Sequence, residues 1–193
     1  MRLILNLVLT AVIAAALGLG LTALAVQHPP RLDAIRSGPW TAIASEGTQQ
    51  IDAYALAALA HRGEIPLPVS DGLSFRAETD DEEAPLRGDC TYSISGQIPA
   101  VRAWSIAAFD PAGAPFPNPA QRHAFTSGEI TRNADGTVVL VMSPDVQPGN
   151  WLPVVPGAGI VLALRLYDTT AGAIAGGRDA PELLSIKRVR CPA

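Results

Sequence analysis

The segment from Asn150 to Asp168, NWLPVVPGAGIVLALRLYD, has the clearest strand pattern in the chain. From Gly159 to Tyr167, apolar residues occupy every second position, while the alternate positions carry Val, Ala, Arg and Tyr. A period of two residues predicts a β-strand with one face in the core and the other partly exposed to water. The two prolines and two glycines from Pro153 to Gly159 predict a turn before this strand, with neither strand nor helix.

One helical pattern and several further strand patterns precede or follow this segment. The helical pattern runs from Thr48 to Arg62, with Thr48 as its predicted cap and Gly63 at its C-terminal end. Short strands separated by turns are predicted at Leu73–Thr79, Cys90–Gly96, Val101–Phe109, Arg122–Thr126, Glu129–Asn133, Thr137–Met142 and Leu183–Arg190.

The order of these elements indicates the fold class. A chain of 193 residues is long enough for one domain with its own core, and its 17 Gly and 17 Pro favour many turns. Because the strands do not alternate with helices, a parallel sheet is not expected. We predict a mainly β domain over residues 39–193: a two-layer antiparallel β-sandwich, jelly-roll-like, with one preceding α-helix.

The N-terminal segment predicts a membrane anchor. Leu3 to Val26 contains no charged residue, and as a helix it would be about 36 Å long, enough to cross a hydrocarbon core of about 30 Å. We predict a transmembrane signal anchor at residues 1–27, inserted in the membrane through residues 3–26, and a linker at 28–38. The alternative is a long signal peptide cleaved after the small-residue pattern Ala23-Leu24-Ala25.

The two cysteines bear on the side of the membrane where the domain lies. Arg2 is the one cation before the apolar segment, whereas Arg31 and Arg36 follow it. Because positive charges flanking a membrane helix tend to stay inside the cell, this count slightly favours a domain kept inside the cell. A bond between Cys90 and Cys191 would tie the C-terminal tail to the sheet, and such a bond persists only in an oxidising compartment. We therefore expect export; the alternative is two unrelated buried thiols.

Charge and motif content exclude several classes of function. A net charge of -4 with scattered basic residues argues against nucleic acid as a partner. Three widely separated histidines argue against a metal centre, and no phosphate-binding loop or dinucleotide fingerprint is present, so we expect no metal and no cofactor. The acidic segment Asp80–Glu83 lacks the spacing of a calcium loop and is predicted to be a solvated loop.

A set of residues in fixed order resembles the bacterial domain-of-unknown-function family 1214. The most specific part is the Asn-Trp-Leu-Pro loop followed by Leu-Arg-Leu-Tyr in the strand. The full set is Tyr54-Ala55, Gly63, Gly88, Tyr92, Gly96, Pro99, Trp104-Ser105, Phe109-Asp110, Asn118, Asp135-Gly136, Asn150-Trp151-Leu152-Pro153 and Leu164-Arg165-Leu166-Tyr167.

This resemblance covers roughly Pro39 to Arg190. It implies a Gram-negative cell-envelope setting, and with it a single-pass inner-membrane protein whose C-terminal domain lies in the periplasm. Larger members of the family carry a second uncharacterised β-domain, numbered 1254, in front of this one, and here an apolar segment stands in its place. The resemblance implies no activity.

The absence of a catalytic motif favours a binding or interaction module over an enzyme. We expect its partner to be an envelope protein or a glycan. The candidate contact residues are aromatic or arginine side chains, which can stack on sugars or anchor a protein interface. They are Arg102, Trp104, Trp151, Arg165 and Tyr167.

The alternative is a hydrolase or lyase that acts on envelope carbohydrate. Such enzymes use a pair of carboxylates about 5 Å or roughly 6.5 to 9.5 Å apart. The candidates for acid and base are Asp110, Glu129 and Asp145, and the sequence alone does not show whether any two of them meet.

Overall fold

The computed structural model describes residues 1–27, 34–43, 45–61, 65–68, 70–118, 120–168 and 182–192. Within these residues there are two helices, α1 (Arg2–Gln27) and α2 (Ala53–His61). The strands are β1 (Ala34–Ser37), β2 (Trp40–Ile43), β3 (Gly72–Ala77), β4 (Thr91–Gly96), β5 (Ala103–Phe109), β6 (Ala124–Thr126), β7 (Val138–Ser143), β8 (Trp151–Pro153), β9 (Val161–Tyr167) and β10 (Ser185–Arg190).

The strands form two sheets that share one core. The larger sheet has the order β1-β2-β3-β9-β5-β6, and the smaller has the order β10-β4-β7-β8. A single apolar cluster contains the inward residues of both sheets, including Phe75 and Leu164 of the larger and Ile94 and Leu140 of the smaller. The predicted two-layer sandwich is therefore confirmed. The sheets have six and four strands, so the jelly-roll detail of that prediction is not confirmed.

The strand predicted from Gly159 to Tyr167 is β9, and it lies in the middle of the larger sheet. It pairs antiparallel with β3 on one side and with β5 on the other. Leu162, Leu164 and Leu166 are fully buried on the core face, while Arg165 and Tyr167 are half-buried on the opposite face. The period of two residues thus assigned each side chain to the correct face.

The turn predicted from Pro153 to Gly159 is wrong at its start. Trp151–Pro153 forms β8, which pairs parallel with β7, so one pair in the smaller sheet departs from the predicted antiparallel arrangement. Proline is tolerated here because β8 lies at the edge of its sheet and the strand ends at Pro153, where no ladder donor is required.

Three other predicted boundaries differ from the structure. Residues 34–38, predicted as linker, form β1 and the turn that pairs it with β2; the rest of that linker, 28–33, lies outside the described residues. Glu129–Asn133 is not a strand and has only an isolated bridge from Arg132 to Val138. The helix begins at Ala53 rather than Thr48, because the Asp52 carboxylate accepts hydrogen bonds from the amides of Tyr54 and Ala55 and caps it. The predicted C-terminal Gly63 lies outside the described residues.

The acidic segment at residues 80–83 is not simply a solvated loop. Asp80 is buried, and its carboxylate accepts hydrogen bonds from the amides of Glu82 and Ala84 and a 2.6 Å bond from the Arg188 guanidinium. The Asp81 carboxylate accepts a hydrogen bond from the amide of Ile186, and the Asp81 amide donates to the Ile186 carbonyl. These bonds cover the outer edge of β10, which would otherwise be free to pair with another strand.

A disulfide fixes the end of the same strand. Cys90, buried just before β4, is bonded to Cys191, which is exposed just after β10. The predicted bond is therefore confirmed, and the two residues are 101 positions apart. Both ends of β10 are thus attached to the sandwich, one through the acidic loop and one through the disulfide.

Replacement of both cysteines, Cys90→Ala with Cys191→Ser, is expected to lower the free energy of unfolding by about 3–5 kcal/mol, because closing a loop of about 100 residues restricts the unfolded chain. Denaturant unfolding monitored by circular dichroism measures the change. Wild-type protein held in a reducing agent should show the same loss. Equal stability of the oxidised and reduced wild-type proteins would contradict the prediction.

Candidate functional site

The five predicted contact residues lie in four different places. Arg165 and Tyr167 lie on the outer face of the larger sheet. Arg102 is exposed just before β5, at the end of that sheet where β9 ends. Trp151 lies on the outer face of the smaller sheet, and Trp104 points into the core. The structure therefore brings Arg165 and Tyr167 together on one face and separates the two tryptophans from them.

Arg165 lies at the middle of the larger sheet's outer face. Its register partners are Ser74 on β3 and Ser105 on β5, so small side chains flank it on both sides. Ala163 precedes it on the same face. The register partners of Ala163 are Arg76 and Ala107, and those of Tyr167 are Gly72 and Ala103, so the neighbours are small except for Arg76 and Tyr167. In the part of the chain that the structure describes, the Arg165 guanidinium has no hydrogen bond or ion pair. We call Arg165 and these neighbours on the outer face the arginine trough.

The open end of the arginine trough carries a second cation and a phenol. Tyr167 pairs in register with Gly72 and Ala103, so its ring has small neighbours on both sides. Arg102, just before β5, lies 3.7 Å from the carboxylate of Asp168, just after β9. The side chains of this pair are 80% and 68% exposed, so solvent screens their attraction and the pair holds Arg102 only weakly.

Trp104 is a core residue. It is only 3% exposed, and the Arg132 guanidinium lies over its ring, 5.9 Å from the centroid. Its indole N–H has no hydrogen-bond partner among the described residues. The prediction of Trp104 as a contact residue is therefore wrong in position, because the two-residue period of β5 places it on the buried side with Ile106.

Trp151 is held at the edge of the smaller sheet. Its indole N–H donates a 3.0 Å hydrogen bond to the carbonyl of Ser143, and its register partner on β7 is Val141. The ring is half-buried, whereas Leu152 beside it is fully buried on the core side. The ring therefore has a fixed orientation with part of its surface in solvent.

Asn150 has a structural role that the sequence did not predict. Its buried amide accepts a hydrogen bond from the amide of Thr131 and donates to the carbonyls of Thr131 and Val139, with distances of 2.8–2.9 Å. Its own carbonyl accepts from the amide of Val141. The partners of its side chain lie 11 and 19 residues away along the chain.

The three carboxylates proposed for a hydrolase or lyase do not meet. The Asp110 carboxylate accepts a hydrogen bond from the amide of Ala114, beyond the C-terminal end of β5. Glu129 accepts the amide and hydroxyl of Thr126, near the opposite end of that strand, roughly 17 Å away by strand rise. Asp145 follows β7 in the other sheet and pairs with Arg190. Each carboxylate is used by its own loop or ion pair.

Other clusters of charge in the described residues also stabilise the fold. A cleft of about 1100 Å³ is lined by Arg36, Leu59, Val161 and by the acidic loop after β3. Asp80 of that loop accepts a hydrogen bond from Arg188, which raises the pKa of the Arg188 guanidinium, and both groups hold β10. Hydrogen bonds from the Thr137 hydroxyl and amide lower the pKa of Asp135 in the exposed turn before β7. The described residues contain no group of three potential metal ligands.

Comparison with known families and structures identifies the domain. A protein family of unknown function, DUF1214, matches residues 71–171, just over half of the chain. The chain belongs to the DUF1214 family. A search of curated proteins finds no match.

Two solved structures match this DUF1214 chain, and the first of them has a similar fold over the matched residues. The VPA0106 protein from Vibrio parahaemolyticus is 22% identical with a TM-score of 0.58, over 73% of this chain and 36% of that one. A putative uncharacterized protein from Burkholderia cenocepacia is 21% identical with a TM-score of 0.45, over 64% of this chain and 31% of that one. The present chain thus spans about a third of each of these proteins.

In this DUF1214 domain, two of the motif positions have clear structural causes. A Cβ atom on Gly88 would lie 1.9 Å from the carbonyl oxygen of Val155, so only glycine allows the loop before β4 to cross the loop before β9. Asn150 joins two backbone segments to the start of β8. The Asn of the Asn-Trp-Leu-Pro motif therefore has a structural role in this domain.

Substitution Asn150→Ala is expected to lower the free energy of unfolding by roughly 2–4 kcal/mol, because it leaves one backbone donor and two backbone acceptors without their partner. The control is Asn133→Ala in the exposed turn before β7, which should change stability by less than about 1 kcal/mol. Denaturant melts of both variants measure the difference. If Asn150→Ala lowered the free energy of unfolding no more than the control does, the structural role of Asn150 would be contradicted.

Proposed function

We propose that the protein is a non-enzymatic binding module of the bacterial cell envelope. In this proposal α1 remains as an uncleaved inner-membrane anchor, the DUF1214 domain lies in the periplasm, and the arginine trough receives a carboxylate of a partner protein. The observation that carries the proposal is the half-buried Arg165, whose guanidinium has no partner within the described residues.

The energetic argument concerns the hydration of that charge. Arg165 is on the central strand of the sheet, so β3 and β5 limit the access of water from both sides. A partly desolvated charge is costly unless an opposite charge or a set of acceptors compensates it. A carboxylate fits best, because it accepts two parallel hydrogen bonds from the planar guanidinium.

The shape of the trough supports the same ligand group. Gly72, Ser74 and Ser105 leave space on either side of Arg165, and the two serine hydroxyls can donate to an incoming carboxylate. Arg102 at the open end is only weakly held by Asp168, so it can reorient towards a second acidic group. Tyr167 supplies an apolar ring with a polar tip, a combination favoured at protein interfaces.

The anchor and the disulfide support the location. Among the described residues, the helix Arg2–Gln27 is long and apolar enough to cross a membrane, and its most apolar stretch is not buried against the domain. A signal sequence would have the same character, so the proposal rests on the length of the apolar run rather than on its composition. The Cys90–Cys191 bond favours the oxidising side of that membrane.

Substitution Arg165→Met should abolish partner capture without unfolding the domain. A photo-crosslinking amino acid at Ser105 places the reactive group beside Arg165 in full-length protein in its native membrane. We expect one reproducible crosslinked protein with Arg165 present and at least about a tenfold weaker crosslink in Arg165→Met, because a charge-assisted bidentate contact contributes about 1.5–3 kcal/mol. The matched control is Arg132→Met, which removes a cation on the core side of β5.

Two results would contradict this role for Arg165. One is a crosslink that survives Arg165→Met at full strength. The other is a melting temperature for Arg165→Met lowered by more than about 8 °C relative to Arg132→Met, which would make Arg165 a structural residue. The conservative variant Arg165→Lys separates charge from geometry, since it keeps the cation and loses the bidentate fork.

Alkaline phosphatase fused after the C-terminus in a bacterial host is expected to be active, and β-galactosidase at the same position inactive, because the first enzyme requires the oxidising periplasm and the second the cytoplasm. The membrane fraction should contain protein of uncleaved mass. The reverse enzyme pattern would refute the orientation, and a soluble product lacking the first 25 residues or so would refute the anchor.

A further inference from the structure

The outer face of the smaller sheet has a different chemistry from the arginine trough. Lys187 on β10, Ser93 on β4, Val141 on β7 and Trp151 on β8 are successive register partners, so they form one row across all four strands. The next row contains Ser185, Ser95 and Val139. With strands about 4.8 Å apart, the row from Lys187 to Trp151 spans about 14 Å. We call this surface the tryptophan row.

The groups of the tryptophan row that can bind a ligand are accessible. Lys187 is exposed, and its ammonium has no ion-pair partner in the described part of the chain. Ser93 and Ser95 are half-buried, and neither hydroxyl is hydrogen-bonded to another described residue. Val139 is 40% exposed, which leaves an apolar strip between the hydroxyls and the Trp151 ring.

The neighbouring charges leave Lys187 as the cation available to a ligand. Arg188 is bound to buried Asp80, and Arg190 is paired with Asp145. The Asp81 carboxylate accepts a hydrogen bond from the neutral Ser185 hydroxyl and keeps its negative charge there. A lysine with no ion-pair partner among the described residues therefore lies at one end of the row and a fixed aromatic ring at the other.

We propose that the tryptophan row binds an acidic polysaccharide laid across the strands. The Trp151 ring stacks on the apolar face of one sugar, because an indole held by the Ser143 carbonyl loses little rotational freedom on binding. Ser93 and Ser95 exchange hydrogen bonds with sugar hydroxyls. Lys187 pairs with the carboxylate of a uronic acid, and this pair selects an acidic over a neutral chain.

A peptide strand is less suited to this surface. Peptides usually bind sheets by adding to an exposed edge rather than by lying on a face. The edge at β10 is covered by the acidic loop, and the edge at β8 is only three residues long and ends at Pro153. Charge complementarity and the unpaired hydroxyls therefore favour a polyanionic glycan.

Tryptophan fluorescence tests the proposal without altering the ring. The protein has three tryptophans; Trp40 is fully buried and Trp104 is 3% exposed, so quenching by acrylamide reports mainly on Trp151. Full-length protein in detergent is titrated with a hexasaccharide of galacturonic acid, and maltohexaose serves as a neutral probe of the same length. We expect the galacturonic acid probe to protect the indole from acrylamide, and maltohexaose to protect it only at about fivefold or greater concentration.

Variants then assign the contact. Lys187→Met should weaken protection by the acidic probe about fivefold and leave maltohexaose unchanged, since it removes one exposed ion pair. Arg132→Met and Arg165→Met should leave both titrations unchanged, because neither residue lies on this face. Equal protection by the two probes, no protection by either, or unchanged protection in Lys187→Met would each overturn the proposal. Loss of acidic protection in Arg165→Met would move the glycan to the arginine trough.

Discussion

The structure depends on the register of β9 between β3 and β5. Its backbone is hydrogen-bonded on both sides over its whole length, which fixes three fully buried leucines towards the core. A slip of one residue would exchange the two faces and place Arg165 and Tyr167 in the core. The cost of burying an unpaired guanidinium therefore disfavours the slipped register.

The sequence predicted those features that depend on neighbours along the chain. The faces of β9, the buried side of β4 and the apolar segment of α1 each follow from a local period or a local composition. The same two-residue period in β5 places Trp104 and Ile106 on one face of the strand, and that face is buried. The burial of Trp104 could therefore be predicted from the sequence. The choice of Trp104 as a candidate contact rested on the chemistry of an aromatic side chain, which is the same on either face of a strand.

The features that were not predicted depend on partners far away in the chain. Asn150 is bonded to residues 11 and 19 positions earlier, and Asp81 is bonded to a strand 105 positions later. An acidic segment has the same local pattern whether it is solvated or bound to a strand edge, so its composition alone does not separate the two cases. The parallel pairing of β8 was not predicted for a similar reason. Three residues that end in proline are too few to show a strand period, and they form a strand because they pair with the adjacent β7.

The sandwich gives this small domain two outer faces that are chemically independent. Sheets in a sandwich pack about 10 Å apart, and a dry layer of buried side chains separates Arg165 from the row that ends at Trp151. Substitutions that far apart, with no shared partner, usually have additive effects. A ligand on one face thus has no direct contact through which to exclude a ligand on the other, and the two proposed ligands, an acidic partner protein and an acidic glycan, are therefore compatible with each other on one domain. Competition between the two would require a conformational change that links β9 to β7, and the sheets provide no shared strand through which such a change would pass.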